Sequence, residues 1–186
     1  WSSDVCSSDL LAQIASPERA RGEALDRWLG RQGVDVNVLL TKIGNDQFDR
    51  STRVAFDDLV RGKLAQLEEI AGAHRLQVTT HLEDASLSMD PYLADILLNN
   101  LFSNSIRHNV LGGHIRVDLR PGTLVIANTG DPLPFEADRI FDRFARGGHS
   151  GGTGLGLAIV RQICEVYGYS ITYAWTGSEH LFTLMY

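Results

Sequence analysis

Four polar side chains share one apolar segment of the sequence, LLNNLFSNSIRHN at 97–109. They are Asn100, Asn104, Arg107 and His108. At about 100° of rotation per residue, a helix would place all four within roughly a 100° arc that also holds leucines. We expect Asp95, Asn99 and Ser103 to lie on another, wetter side of this helix. Buried polar groups without partners are costly, so something must satisfy the four that share the apolar face.

A second segment, GGTGLGLAIV at 151–160, joins four glycines to the start of an apolar helix pattern. Glycines let the backbone approach a ligand closely, and the free N–H groups of a first helical turn point toward it. This arrangement binds phosphate at helix N-termini, although a flexible hinge has the same composition. The segment lacks the Gly-Lys-Ser/Thr ending of a Walker loop. A loop rather than a strand precedes it, which argues against a dinucleotide fingerprint.

A third segment, VIANTGDP at 125–132, ends a predicted strand in Asn128. An amide at a strand end can hydrogen-bond the edge of a base, and Gly130 would leave room for a flat ring. Taken alone, NTG is also a common turn sequence.

The elements that must position these segments alternate between helix and strand patterns, which predicts an α+β domain. Asp90 and Pro91 favour a helix start before the Asn-rich segment, and Asp57 is expected to cap an earlier helix. The other predicted helix follows the glycines and ends at Gly168. The predicted strands are 54–56, 75–82, 114–119, 123–128, 170–175 and 180–185, of which the last four form two hairpins.

Before this domain, apolar residues from Leu25 to Ile43 follow alternating spacings of four and three, interrupted by Gln32. Such a seam is typical of a helix that pairs with another helix, although a single amphipathic helix fits the same spacing. We expect a non-native or disordered start at 1–10, a helical segment at 11–50 and the main domain at 53–186.

Composition narrows the class of protein. A chain of 186 residues with 44% hydrophobic and 22% charged residues is long enough and apolar enough to bury a core. The net charge of −6 argues against nonspecific binding to nucleic acid. No apolar run reaches the roughly 18 residues that a membrane span needs. Cys6 and Cys164 indicate neither a disulfide framework nor a metal site, which favours a reducing compartment.

The three segments, together with a fourth at 140–144, occur in an order that resembles the motif order of one protein family. The Asn-rich helix, NTG at 128–130, IFDRF at 140–144 and GTGLGL at 152–157 resemble the N, G1, F and G2 boxes of the sensor histidine kinases. Their ATP-binding domain has the Bergerat fold, shared with gyrase, MutL and the heat-shock chaperone ATPases. Over residues 53–186, the resemblance implies a two-layer α/β sandwich with a mixed sheet, preceded by a helical segment.

The resemblance also implies a role for each matching residue. Asn104 matches the Asn that helps to hold Mg²⁺, and Asn100 matches the first Asn of the same box. Arg107 matches a basic position that meets phosphate, and His108 a ring position that lies against the nucleotide. Asn128 stands where the family usually has an Asp that accepts a hydrogen bond from the adenine amino group. The other implied ATP-binding residues are Gly130, Arg143, Gly152, Thr153, Gly154, Leu155 and Gly156.

The segment IFDRF matches the lid of the family's nucleotide site. Phe141 and Phe144 would anchor a mobile loop, and Arg143 could reach the phosphates. Two residues depart from the family pattern. Because Asn128 carries no charge, we expect weaker adenine affinity, and Pro132 in place of a glycine would stiffen the start of the lid.

The function implied by the resemblance is two-component signal transduction by a protein histidine kinase. It would bind ATP and Mg²⁺ and transfer the γ-phosphoryl group to a histidine. No histidine of the chain is followed by an acidic residue, as the family's phosphoacceptor box requires. We therefore expect the phosphoacceptor before residue 11, outside the chain, and no autophosphorylation by the chain alone. Asn100 and its neighbours are assigned no general-base role.

The resemblance further implies partners and a location. The partners would be a response regulator receiver domain and a second copy, paired as a homodimer through the missing N-terminal helices, with no nucleic acid. The domain would lie on the cytoplasmic face, and the full-length protein could be anchored in the inner membrane.

Other functions stay open. ATPases of the gyrase or MutL type place a Glu one turn before the metal-binding Asn, where this chain has Asn100, so ATP hydrolysis would be slow. A non-catalytic nucleotide-sensing or dimerisation module is compatible with Asn128 and Pro132. An anti-sigma serine kinase shares the fold, but IFDRF and the heptad segment argue against it.

Overall fold

A computed structural model of the chain describes residues 48–145 and 154–186, apart from the side chains of Glu69 and Ala73. These residues belong to one compact unit, Val34–Tyr186. The predicted start at 1–10 and nearly all of the helical segment predicted at 11–50 lie outside the described residues, as do Gly152 and Thr153.

Five strands form one mixed sheet in the order β2-β4-β5-β7-β6. β2 runs parallel to β4, and the other neighbouring strands are antiparallel. The strands are β2 Gln77–Leu82, β4 His114–Arg120, β5 Thr123–Thr129, β6 Ser170–Trp175 and β7 Glu179–Met185. Both predicted hairpins are therefore confirmed, and the parallel pair makes the sheet mixed.

Three helices, α1 Phe56–His74, α2 Pro91–Arg107 and α3 Gly156–Tyr167, pack on one face of this sheet. Residues of β4 and β7 alternate between buried and partly exposed positions, with Ile115, Val117 and Leu119 of β4 facing the helices. This period of two is what one buried sheet face requires. The α+β, two-layer architecture predicted from the sequence is confirmed.

A separate two-stranded sheet pairs β1 Arg53–Ala55 with β3 Ser86–Ser88, and α1 begins directly after β1. The backbone N–H groups of Phe56 and Asp57 both donate to the carbonyl oxygen of Ala85. The prediction that Asp57 caps α1 is therefore wrong, because a neighbouring loop carbonyl already serves the first free donors and the N-cap is Ala55.

The start of α2 agrees with the sequence. Asp90 is the N-cap, its side chain accepts from the N–H of Tyr92 at 2.9 Å, and Pro91 occupies the first turn. The expectation of a wetter side of α2 is wrong for Asn99, which is buried, whereas Asp95 and Ser103 are partly exposed. Asn99 Nδ2 donates to Asp95 at 2.8 Å, and Asp95 forms an ion pair with the buried Lys63 of α1 at 2.6 Å. The packing of α1 against α2 thus encloses Asn99 and Lys63.

The long loop before α3 contains a short 3-10 helix, Ala137–Phe141, whose Ile140 is buried. At its other end, α3 stops at Gly168, which adopts the left-handed conformation with φ of 70°, as the sequence predicts. Among residues 48–145 and 154–186, no helix combines the length and apolarity needed to cross a bilayer.

Candidate functional site

Helix α2 brings its polar face against the glycine turn that precedes α3. Asn100 Nδ2 donates to the carbonyl oxygen of Ile96 in the preceding helical turn, at 2.8 Å. Its Oδ1 points toward Gly156, where an added Cβ would lie only 2.7 Å away. The close approach of the two helices at this point therefore requires glycine at position 156.

The remaining polar residues of this face follow along α2. Asn104 is half-buried one turn beyond Asn100, and its side chain has no hydrogen-bond partner among the described residues. Arg107 is half-buried, whereas His108 is exposed and forms the C-cap of the helix. The structure thus places the four predicted residues along one edge of α2, in the order of the sequence.

The N-terminus of α3 is suited to an anion. Leu155 is the N-cap, and among the described residues no side chain hydrogen-bonds the first N–H groups. Within α3, the first turn carries no acidic side chain that would compete with a ligand for these groups. Gly154 has a φ of 69°, which only glycine adopts without strain. Its carbonyl oxygen accepts from the N–H of Phe144 at 2.8 Å, so the IFDRF segment is tied to the glycine turn.

Asn128 lies at the end of β5 and is fully buried. Its Nδ2 donates to the carbonyl oxygen of Thr129 at 2.9 Å. Because a carbonyl oxygen only accepts, this contact fixes which end of the amide is nitrogen. Asn128 Oδ1 is left as a buried acceptor with no partner among the described residues. Such a group is costly unless a donor reaches it.

The turn after β5 is packed tightly at Gly130. An added Cβ there would lie 2.5 Å from the carbonyl oxygen of His108 and 2.5 Å from Nε2 of His180. Gly130 therefore lets the β5 turn meet the C-terminal end of α2. Since α2 also meets Gly156 at Asn100, one helix contacts both turns, at points about 12 Å apart along its axis.

An aromatic wall borders Asn128 on the neighbouring strands. His180 of β7 is the register partner of Asn128, and its ring centroid lies 4.7 Å from Trp175 and 5.9 Å from Tyr173. Phe182 continues the wall and meets Phe141 of the 3-10 helix edge to face, with centroids 6.5 Å apart. The expected anchoring of the IFDRF segment thus holds for Phe141.

The other lid residues are placed differently. Phe144 is 65% exposed and has a φ of 63°, so the expectation that it anchors the loop is wrong in this conformation. A non-glycine residue in the left-handed region stays there only because a hydrogen bond such as the one to Gly154 holds the turn. Arg143 is exposed, and no acidic partner for it lies among the described residues.

Both histidines at this end of α2 and β7 favour the neutral form. Desolvation, followed by the positive charges of Arg107 and His180, lowers the pKa of His108 below its ordinary value of 6.5. Burial lowers the pKa of His180 below 6.5, although the backbone and charge of Asp131 act in the opposite direction. The rings therefore add little positive charge near Asn128 at neutral pH.

A polar network that the sequence analysis missed joins α2 to the sheet. The Thr129 hydroxyl donates to Asn109 Oδ1 at 2.6 Å and accepts from the N–H of His114 at 2.8 Å. Asn109 Nδ2 donates to the carbonyl oxygen of His114 at 3.0 Å. Gly113 is enclosed by the same groups, since an added Cβ would lie 2.1 Å from the Thr129 hydroxyl. The sequence in this region, Asn-Val-Leu-Gly-Gly after the helix, predicts only a turn and not the network.

His180 and Tyr173 were also missed. A signal for His180 was present, because it occupies an inward position of β7 with Phe182 and Leu184. A polar residue on the apolar face of an alternating strand requires a partner, as the residues of α2 do.

No group of three metal-ligating His, Cys, Asp or Glu side chains occurs in the part of the chain that the structure describes. Cys164 is buried in α3, and burial raises its thiol pKa to about 12. Among the residues that the sequence analysis nominated, Asn104 is the one expected to bind a metal ion, through its amide oxygen. A single protein ligand suits Mg²⁺, which takes most of its ligands from phosphate and water.

Comparison with known families gives a match over residues 89–184 to the model described as "Histidine kinase-, DNA gyrase B-, and HSP90-like ATPase". This range includes α2, both glycine-containing turns, β4–β6 and all but the last residue of β7. It covers more than half of the chain.

Curated relatives include two bacterial sensor proteins. The sensor protein QseC of Escherichia coli K12 is 29% identical over 177 residues, which are 88% of this chain and 39% of the relative. The sensor protein CzcS of Cupriavidus metallidurans is 36% identical over 116 residues, 57% of this chain and 24% of the relative. The chain thus spans well under half the length of these relatives.

Solved structures with a similar fold include the catalytic domain of the histidine kinase ThkA. It has a TM-score of 0.63 and 25% identity, over 72% of this chain and 94% of that one. The cytoplasmic segment of the histidine kinase QseC has a TM-score of 0.54 at 15% identity, over 92% and 94% of the two chains. The second likeness concerns the fold alone.

Proposed function

The chain belongs to the histidine kinase-, DNA gyrase B-, and HSP90-like ATPase family, and we propose that it binds Mg-ATP and transfers the γ-phosphoryl group to a histidine outside residues 1–186. The activity would be that of a protein histidine kinase in two-component signalling. The observation that carries this proposal is the approach of Asn100 to Gly156, which joins the polar face of α2 to the turn before α3.

The triphosphate would bind between these two elements. The first N–H groups of α3 carry partial positive charge and lack a side-chain cap among the described residues. Gly154 and Gly156 place no side chain in the turn on either side of Leu155, and Arg107 and Arg143 would add positive charge from two sides. Gly152 and Thr153 are proposed to extend the same cradle, although they lie outside the described residues.

The adenine would bind at the end of β5. Asn128 Oδ1 is a buried acceptor in need of a donor, and the exocyclic amino group of adenine supplies one. Guanine has an oxygen at that position and would leave two acceptors facing each other. Gly130 would let the turn beside the base pack against His108 and His180, and His108 would lie along the edge of the base. The neutral amide at 128 therefore supports adenine recognition without the charge of an Asp.

Asn104 would hold Mg²⁺ through its amide oxygen, one helical turn beyond Asn100. The half-buried side chain lacks a partner among the described residues, so its oxygen is available for a hard cation. Bound there, Mg²⁺ would neutralise charge on the triphosphate.

The chain's own residues would position ATP and neutralise its charge, which is most of what phosphoryl transfer asks of a protein. Activating water for hydrolysis requires a base, and Asn100 stands where the ATPase branches of the family have a Glu. An amide does not accept a proton near neutral pH, so turnover of ATP with water would be slow.

The remaining parts of the proposal concern partners and place. The acceptor histidine would lie on the helices of the same protein that precede residue 11, and these would pair two copies into a homodimer. The phosphoryl group would then pass to a response regulator receiver domain. We place the domain on the cytoplasmic face of the membrane, with the full-length protein anchored there.

The experiment measures binding first and transfer second. Isothermal titration of the chain with ATP, with and without Mg²⁺, should give micromolar to millimolar affinity that magnesium strengthens and that Asn104→Ala makes insensitive to magnesium. Equally weak binding by wild type and Asn104→Ala in both conditions would contradict the proposal.

Transfer is tested with γ-labelled ATP and a two-helix acceptor domain from a related sensor kinase. Acid-labile, base-stable label on the acceptor is expected, with little free phosphate. Rapid phosphate release without label would favour the ATPase alternative. Binding with neither product would favour a nucleotide-sensing module.

A further inference from the structure

His180 occupies an unusual place on β7, because its ring is polar and only 4% exposed. Its register partner across the strand pair is Asn128, the proposed base acceptor. The two buried residues that follow it on the same face of β7, Phe182 and Leu184, are apolar. A buried imidazole at such a position needs partners for both ring nitrogens.

The groups that contact the His180 ring belong to different elements. Nδ1 lies 2.9 Å from the hydroxyl of Tyr173 on β6. Nε2 faces the turn after β5, where an added Cβ on Gly130 would lie 2.5 Å from it. Asp131 of the same turn acts on the ring in the direction that raises the pKa of His180.

This pair of contacts crosses the turn that forms the proposed base pocket. Gly130 packs directly against the His180 ring, at a distance that leaves no space for a Cβ. The groups that face the ring are Tyr173 from β6, Asp131 from the turn and His108 from the end of α2. His180 therefore bridges β6, β7 and the turn after β5.

We propose that His180 is a positioning residue of the nucleotide site, which holds the Gly130–Asp131 turn over the end of β5 by linking Tyr173 to Gly130 through its ring. The inference rests on the proposed nucleotide-binding function and adds to it a residue that touches neither phosphate nor metal. Without the link, the turn is free to leave the position in which Asn128 Oδ1 and Gly130 together accept the base.

The inference predicts where the loss of affinity appears. Because His180 acts at the base end, its removal weakens ATP and adenosine by the same factor. The increment in ATP affinity that magnesium provides is unchanged.

The test compares His180→Leu, Tyr173→Phe and a control, His81→Leu, in the full chain. His180→Leu removes the hydrogen bond to Tyr173 and the ring contact with Gly130, and keeps an apolar group of similar size against Trp175. We expect ATP and adenosine affinity to fall about tenfold in His180→Leu and about threefold in Tyr173→Phe, since the first variant loses both contacts and the second loses only the hydrogen bond. His81 lies on the edge strand β2, and its side chain contacts Glu83 in the part of the chain that the structure describes, so its variant should bind as wild type does.

Two further readouts separate positioning from a general loss of structure. In His180→Leu, the amide NMR resonances of Gly130 and Asp131 should shift while those of α1 stay in place, and magnesium should strengthen ATP binding by the same factor as in wild type. A His180→Leu variant that folds and binds adenosine like wild type would overturn the inference alone. Absence of ATP binding by the wild-type chain would instead overturn the proposed function.

Discussion

The base end and the phosphate end of the proposed site are built differently. At the base end, Asn128 is fully buried, His180 is 4% exposed, and Gly130 fits between His108 and His180 without space for a Cβ. At the phosphate end, Arg143 is exposed, and Phe144 is 65% exposed with a strained left-handed backbone. The two ends share only helix α2.

This difference between the two ends predicts how substitutions at each end would affect folding and ligand binding. The side chains of the base end are buried and packed, and among the described residues of β5 the buried side-chain group without a partner is the Asn128 oxygen. The phosphate end presents exposed side chains that lose conformational freedom only when a ligand orders them. Substitutions at the base end should therefore affect folding and binding together, whereas those at the phosphate end should affect binding alone.

The largest effect is expected for Gly130→Ala. The added methyl group would overlap His108 and His180, which should lower the free energy of unfolding by about 2–3 kcal/mol and abolish adenosine binding. Chemical denaturation and calorimetric titration measure the two effects. Gly62→Ala is the matched control, because nothing lies within 4 Å of its added Cβ in α1. The control should gain roughly 0.5–1 kcal/mol and bind normally.

A second, smaller effect is expected for Asn128→Asp. The carboxylate would replace the Nδ2 donor with an acceptor facing the Thr129 carbonyl, and its burial would raise its pKa. The variant should lose about 2 kcal/mol of stability at pH 7.5 and regain part of it toward pH 5, since the protonated acid can donate to Thr129. Asn104→Asp, at a half-buried position without a partner among the described residues, should change stability by less than ~1 kcal/mol. Equal losses in both variants would contradict the contrast between the two ends.

The phosphate end is tested by Arg143→Ala. Removal of an exposed charge that contacts only the ligand should weaken ATP about tenfold, or ~1.4 kcal/mol, and leave adenosine unchanged. The midpoint of thermal unfolding should stay that of wild type. A drop in that midpoint would mean that Arg143 already stabilises the free protein.

The smallest effect concerns pH. In the unfolded chain, His108 and His180 protonate near 6.5, whereas in the folded chain their pKa values are lower. As pH falls below 6.5, the unfolded state takes up more protons, so the free energy of unfolding should decrease. Urea denaturation at pH 7.5 and 5.5 should show this decrease, and His180→Leu should reduce it. A stability that rises on acidification in that interval would show that these histidines are charged in the folded protein.

Much of the fold could be predicted from the sequence because its signals are local. The alternation of β4 and β5, the Asp90-Pro91 helix start and the stop at Gly168 depend on residues adjacent in the chain. The cap of α1 could not be predicted, since the carbonyl that serves it belongs to Ala85, distant in sequence. The burial of Asn99 likewise depends on Lys63 of another helix.

The same distinction between local sequence signals and contacts of distant residues applies to the candidate site. Motif order was enough to nominate Asn100, Asn128 and Gly156, and the structure brings the first and last of these together. Tyr173 and His180 carry no motif, and they meet each other and Gly130 only because β6, β7 and the β5 turn are neighbours in the folded sheet. Whether each nominated residue contacts ATP stays a prediction.

The central claim is that α2, the β5 turn and the turn before α3 hold a single adenine nucleotide. A crystal structure of the chain with Mg²⁺ and a non-hydrolysable ATP analogue tests it most directly. We predict the adenine amino group within hydrogen-bond distance of Asn128 Oδ1 and the phosphates between Asn104 and the Gly154–Gly156 backbone. Nucleotide bound elsewhere, with Asn128 Oδ1 still lacking a donor, would contradict the account.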